Sequence, residues 1–250
     1  MSKKNFLESN NPMMKDDVLR NSNVLDSELV YSGELMTVGG AVNKTFILGA
    51  IALAAAVVGA MFASNFLILG GFIGAAVVSF ITSRNPEKSP VLAPVFAALE
   101  GLAVGGVTII YASMFDGIVF SAVSLTFAIL FTMLMLYKSG LIKVTERFRN
   151  IVMTATGAIM LLYAASIALY FFGIDMPFLH DQSPIGIGIS LLIVGVASMK
   201  LLVDFDNFDK GEQRKTPAYM EWYFGMGLLF TLIWLYLEIL YLLSNFLGGE

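Results

Sequence analysis

Apolar and polar residues fall in long blocks along this chain rather than alternating singly. A helix needs roughly 20 apolar residues to cross the hydrocarbon of a bilayer. Seven runs approach or exceed that length: Thr45–Phe62, Phe66–Thr82, Val91–Ser113, Ile118–Tyr137, Ile151–Phe172, Ile185–Val203 and Tyr219–Leu247. The breaks between them carry turn chemistry. Ser64-Asn65 makes a tight turn, 85–90 reads Asn-Pro-Glu-Lys-Ser-Pro, and a second proline-bounded loop runs from Asp175-Met-Pro to Ser183-Pro184. The pattern predicts an all-α integral membrane protein, a bundle of seven transmembrane helices spanning residues 45–250. Residues 1–44 are polar and mixed in charge, which predicts a flexible cytoplasmic N-terminal tail whose last part, from Met36 to Lys44, leads into the first helix. They contain no apolar core of a signal peptide.

Composition agrees with that class. Charged residues make up 14% of the chain, against about 25% in a soluble domain, and the mean hydropathy is +0.79. There is no cysteine and a single histidine, His180. Disulfides, thiol catalysis, HExxH zinc sites and Ser-His or Cys-His pairs are thereby excluded. His180, in the Asp175–Pro184 loop beside Asp181, reads as a loop residue rather than a ligand. The net charge of −4, with no basic patch interleaved with aromatics, gives no reason to expect a nucleic-acid partner.

Charge placement sets a direction. Lys3, Lys4, Lys15, Arg20 and Lys44 precede the first run, and Arg84 and Lys88 follow the second. Lys138, Lys143, Arg147 and Arg149 follow the fourth, and Lys210, Arg214 and Lys215 follow the sixth. With seven spans, every cation but Lys200 falls on one side. The positive-inside rule makes that side cytoplasmic, with the N-terminus inside. Tyr219, Trp222 and Tyr223 open the last run as interfacial anchors. Gly70-x-x-x-Gly74, Gly101-x-x-x-Gly105, Gly186 and Gly188 are candidates for close helix contact, which in lipid stands in for a hydrophobic drive. So much Gly and Ala favours a compact bundle over a wide pore.

A few charges interrupt the apolar runs. Glu100 lies in the third, Glu238 in the seventh, and Lys200, Asp204 and Asp206 close the sixth. A charge at the bilayer centre costs about 2.5–3.5 kcal/mol on insertion scales, so such residues usually face the bundle interior. Counting rise from the span ends puts Glu100, Lys200 and Glu238 level, roughly 15 Å deep, with Asp204 about one turn shallower. Lys200 and Asp204 share a face at i, i+4. Asp206 is turned about 200° from Asp204 and cannot face the same partner. Asp206 and Asp209 read as a solvated helix end. If Glu100, Asp204 and Glu238 converged on one cavity, with Asp206 as a further candidate on the ion path and Lys200 as counter-charge, two neighbouring carboxylates would share a proton and titrate as a unit. The same oxygens would offer a weak, transient Ca2+ site, as conduction requires. Nothing points to a tightly bound cofactor.

These stretches resemble the Bax inhibitor-1 (transmembrane Bax inhibitor motif) family, and most of all its bacterial Bax inhibitor-1-like, or YccA, branch. The resemblance is carried by VNKTFIL (42–48), SPVLAPVFAALEGLAVG (89–105), LYKSGLIKVTERFR (136–149), ATGAIMLLY (155–163), SPIGIGISLL (183–192), LVDFDNFDKG (202–211) and PAYMEWYFGMGLLFTLIWLYLEILYLL (217–243). It implies a bundle with the last helix central, in the bacterial cytoplasmic (inner) membrane. It also implies a pH-sensitive Ca2+ leak gated by a pair of aspartates on helices six and seven. Asp204 matches the first. Glu238, in LYLE where the family has an LYLD-like stretch, takes the place of the second. The family's cytoplasmic latch arginine best matches Arg84. The YccA likeness implies a second reading, a regulatory protein that binds a membrane protease through its tail. An intramembrane aspartyl hydrolase is disfavoured, because the YD and GxGD signatures are missing.

Overall fold

The computed structural model describes residues 33–173 and 184–248. Tail residues 1–32 and the loop holding His180 lie outside the described residues. Seven helices among those described are long and apolar enough to cross a membrane. They are α1 (Val38–Met61), α2 (Asn65–Arg84), α3 (Ser89–Met114), α4 (Ile118–Lys138), α5 (Glu146–Phe171), α6 (Pro184–Gln213) and α7 (Tyr219–Leu247).

Local chemistry explains the boundaries. Thr37 Oγ1 accepts from Gly40 N at 2.9 Å and caps α1, so the helix starts at Val38 rather than Thr45. Residues 38–44 are thus the first turns of α1. Ser64 Oγ accepts from Leu67 N at 3.2 Å and starts α2 directly after the turn. A single 3-10 turn, Pro86–Lys88, leads into α3. Helix α6 does not stop at Val203; it runs on to Gln213. At 1.5 Å per residue that helix is about 45 Å long, more than the roughly 30 Å hydrocarbon core. Its acidic last turns therefore project from the end of the bundle that carries the Lys and Arg residues, called the basic end below.

The last helix is the axis of the bundle. Of its apolar window 61% is buried within the protein, against 6% for α5. It packs on α1, α3, α4 and α6. The outer helices turn Phe46, Leu53, Phe66, Phe120 and many other apolar side chains outward, as a surface solvated by lipid requires.

Glycine sets the closest approach, at α1–α3. A Cβ on Gly101 would lie 2.2 Å from the Ala52 carbonyl oxygen, and one on Gly105 would lie 1.9 Å from that of Ala56. The expected pair in α2 behaves differently. Gly70 faces open space, and its neighbour Gly71 meets the backbone of Leu99 instead. Gly188 likewise has no close neighbour.

The chain leading into α1 is stapled to the α6–α7 connection. Leu35 and Pro217 form an antiparallel bridge. Met36 N donates to Thr216 O, and Ala218 N to Glu34 O, both at 2.8 Å. Thr37 N donates to Glu221 Oε1 at 3.0 Å, and Val38 N to Glu212 Oε1 at 3.1 Å. Met36 is 2% exposed and packs against Gly211, as Phe224 also does.

Candidate functional site

Asp204 lies on the face of α6 that meets the central helix. It is 3% exposed. Lys200, one turn earlier, donates to its Oδ1. Thr231 Oγ1 of α7 donates to its Oδ2 at 2.6 Å. The expected i, i+4 pair is therefore formed, and it is closed by a hydroxyl from the neighbouring helix. Both charges line a cavity of about 200 Å3 toward the basic end. Ser79 and Ser83 of α2, Asn207 of α6 and Tyr223 of α7 line it too. Tyr223 is thus part of the cavity wall and not only an interfacial anchor. Trp222 receives Lys44 of α1 over its ring, 4.9 Å from the centroid.

Glu238 is also buried, at 7% exposure, but it is not paired with Asp204. Its Oε1 accepts from Trp234 Nε1 on its own helix at 3.0 Å and from the Tyr163 hydroxyl of α5. The register explains the separation. Asp204 stands opposite Thr231, and Glu238 follows Thr231 by seven residues, about 10 Å along α7 on the same face. Glu238 therefore lies about 4–5 Å beyond the level of Lys200 rather than level with it.

Glu100 is 5% exposed on α3. None of the ion pairs among the described residues includes it. Helix α3 meets α7 where Phe96 packs on Phe230, ring centroids 6.3 Å apart, and where Thr108 and Tyr236 hydroxyls bond at 2.9 Å. Tyr236 lies five residues past Thr231 and so points about 140° away from it. The three carboxylates do not gather in one place, and no group of three His, Cys, Asp or Glu able to hold a metal ion is found among the described residues.

Asp206 and Asp209 are not a solvated helix end. Arg149 of α5 binds Asp206 through Nη2 and donates from Nη1 to Asn207 Oδ1 at 2.7 Å. Lys210 bridges Asp206 at 3.0 Å and Glu146 at 3.1 Å. Tyr137 of α4 donates to Asp209 Oδ2 at 2.5 Å. Asp206 does face away from Asp204, as its helical position requires. The lattice ties α4 and α5 to the last turns of α6. Arg84 takes no part in it: its guanidinium lies over Phe80 of its own helix, 4.4 Å from the ring centroid, and none of the ion pairs among the described residues includes it.

Thr231, Trp234, Tyr163 and Arg149 escaped the reading of the sequence. Two left a trace: Trp234 precedes Glu238 by one helical turn, and Thr231 by one heptad. Nothing in the chain marks Tyr163 or Arg149 as reaching across to another helix.

A seven-helix membrane protein with a buried central helix and ionisable groups held at membrane depth is the class that these features define. The family model described as Bax inhibitor 1 like matches residues 5–248. The chain belongs to the Bax inhibitor 1-like family. No curated protein and no solved structure matches it.

Proposed function

We propose that this chain is a proton-regulated cation leak, with Ca2+ as the conducted ion, inserted in the bacterial cytoplasmic membrane with its basic end inside. The observation that carries the reading is the Lys200–Asp204 pair, buried at membrane depth yet lining a cavity. Ionisable groups are costly there, and those that are kept mark ion and proton paths, while a buried pair is weak evidence for stability. Loading Asp204 with a proton removes the charge that holds Lys200 and weakens the Thr231 bond. The tie between α6 and α7 then loosens, and once the proton leaves again the freed carboxylate can meet a passing hard cation. The scattered carboxylates suit a weak, transient site of the kind that conduction needs. Glu238 is the second acid of the path.

Purified protein in liposomes loaded with a calcium-sensitive dye tests this across pH. The expected result is pH-dependent Ca2+ entry that Asp204→Asn and Glu238→Gln flatten. Entry identical to that of the unaltered protein in both variants at every pH overturns it.

One observation favours a second reading, a regulatory protein gripped by a membrane protease or another membrane partner. The residues that follow the tail are bonded to the α6–α7 connection, so a pull on the tail reaches the central helix. Cross-linking through the tail in native membranes tests it, and a tail with no captured partner counts against it.

A further inference from the structure

We propose that Ser190 of α6 and Asn245 of α7 form a water-binding pocket, the mouth of the conduction path at the end opposite the basic end. This rests on the leak reading: the Lys200–Asp204 cavity lies toward the basic end, and a leak needs a second opening.

Register brings the two residues together. Helices α6 and α7 run antiparallel, and the Asp204–Thr231 bond fixes which residues stand opposite. Ser190 and Asn245 each lie fourteen residues from that bond, about 21 Å farther from the basic end, so they are level. Fourteen residues are two heptads, and a helix face drifts only about 20° per heptad, so both still face the seam. The seam thus reads Asp204 with Thr231, Ala197 with Glu238, and Ser190 with Asn245.

Both side chains are buried without a protein partner. Ser190 is 2% exposed and Asn245 5%. Asn245 Nδ2 is sealed from solvent and has no hydrogen-bond partner among the described residues. Other buried serines of these helices bond back to their own backbone, Ser198 to Val194 O and Ser244 to Tyr241 O, both at 2.7 Å. Ser190 makes no such bond among the described residues. Buried polar groups find a partner in protein or in water. A carboxamide and a hydroxyl at one level supply the several polar partners that a buried water needs. The polar line also continues inward. Tyr241, one turn before Asn245 on the same side of α7, interacts with Tyr111 and Tyr163. Tyr163 in turn donates to Glu238. Neither Ser190 nor Asn245 carries a charge, so the pocket can hydrate a passing cation without holding it.

Two readouts that need no ion flux test this, so its failure is distinct from failure of the leak. The first uses the absence of native cysteine. In purified protein in lipid nanodiscs, Ser190→Cys and Asn245→Cys should react with a small charged thiol reagent at least about tenfold faster than Ile118→Cys. Ile118 opens α4 at the same end of the bundle, is 1% exposed and belongs to the apolar core. Where one pocket variant fails to fold, the other decides. Labelling of the pocket at the control's rate overturns the proposal. The second readout is thermal unfolding of Asn245→Leu. Leucine has nearly the shape of asparagine, and in a dry site it would remove an unpartnered donor and raise the melting temperature. In a wet pocket it takes a partner from the bound water and strands Ser190, so melting should fall by a few degrees. Melting equal to or above that of the unaltered protein overturns the pocket.

Discussion

Thr231 donates its hydroxyl to Asp204 across the α6–α7 seam at 2.6 Å. The same oxygen lies 3.1 Å from the Gly227 carbonyl, its intrahelical alternative. One proton thus has two acceptors, one that ties the two helices together and one that does not. Thr231→Val keeps the shape and removes the proton. A hydrogen bond to a charged group contributes about 1.5–3 kcal/mol. Thermal unfolding in detergent should fall accordingly, by a few degrees for a chain of this size. The pH midpoint of Ca2+ entry should move while entry persists. A variant with unchanged melting and an unchanged midpoint would show that the bond ties nothing.

The Lys200–Asp204 pair makes a sharper prediction. Removing one partner of a buried pair leaves an uncompensated charge and costs about 3–5 kcal/mol. Lys200→Met and Asp204→Asn should each lower the melting temperature more than the double variant does. The double variant should also lose most of the pH dependence of entry. Additive losses in a double-mutant cycle, read by thermal unfolding, would mean that the two groups do not interact.

The spans were legible because hydrocarbon imposes one rule on every residue in contact with it, and block hydropathy records that rule. The seventh span matches helix α7, Tyr219–Leu247, at both ends. Helix α6 overran its apolar run because a helix needs only continuous backbone bonding, and the more polar turns after Asp204, as far as Gln213, continue it past the lipid. Lys200–Asp204 was legible as a pair because it is local, four residues on one helix. Glu238 was legible as buried, but its partner was not: contacts between helices depend on register and rotation, which a single chain does not print. Arg84 and Arg149 look alike in sequence, and only packing gives Asp206 to one of them.

That assignment predicts a contrast between the two arginines. Arg149→Gln removes an ion pair with Asp206 and a bond to Asn207 and leaves Lys210 to hold Asp206 alone. It should loosen the basic end, measured as faster amide exchange in the last turns of α6. Arg84→Gln removes only a stacking contact on Phe80 and should leave that exchange unchanged. Equal effects would mean that the Arg149–Asp206 pair is not what holds those turns.

Glycine offers a test of the α1–α3 contact that is independent of any function. A side chain at Gly105 would enter the backbone of Ala56, and helix backbone cannot yield as a side-chain tip does. Gly105→Ala should force α1 and α3 apart and cost at least about 1–3 kcal/mol, the usual range for overpacking. Gly70→Ala meets nothing and gains about 0.5–1 kcal/mol from helix propensity. Melting should therefore fall in the first variant and hold or rise in the second. Equal melting would mean that the close approach of the two helices is not where the bundle keeps its rigidity.

The connection between the tail and the α6–α7 turn sets where a truncation must stop. Removing residues 1–33 leaves Glu34, Met36 and Thr37 in place, with their bonds to Thr216, Ala218 and Glu221. Removing 1–37 takes away the cap of α1, the bridge to Pro217 and the buried Met36 side chain together. Truncating a buried Met side chain costs about 2–5 kcal/mol, and losing a cap costs about 1 more. The shorter deletion should match the full chain in melting and in Ca2+ entry. The longer one should melt lower and show altered entry, since Phe224 lines the cavity and packs with Met36 on Gly211. Glu221→Gln, which weakens the clasp without shortening the chain, should fall between the two. If the longer deletion behaved like the shorter, the clasp would be a passive contact, and a partner holding the tail would have no mechanical route to the central helix.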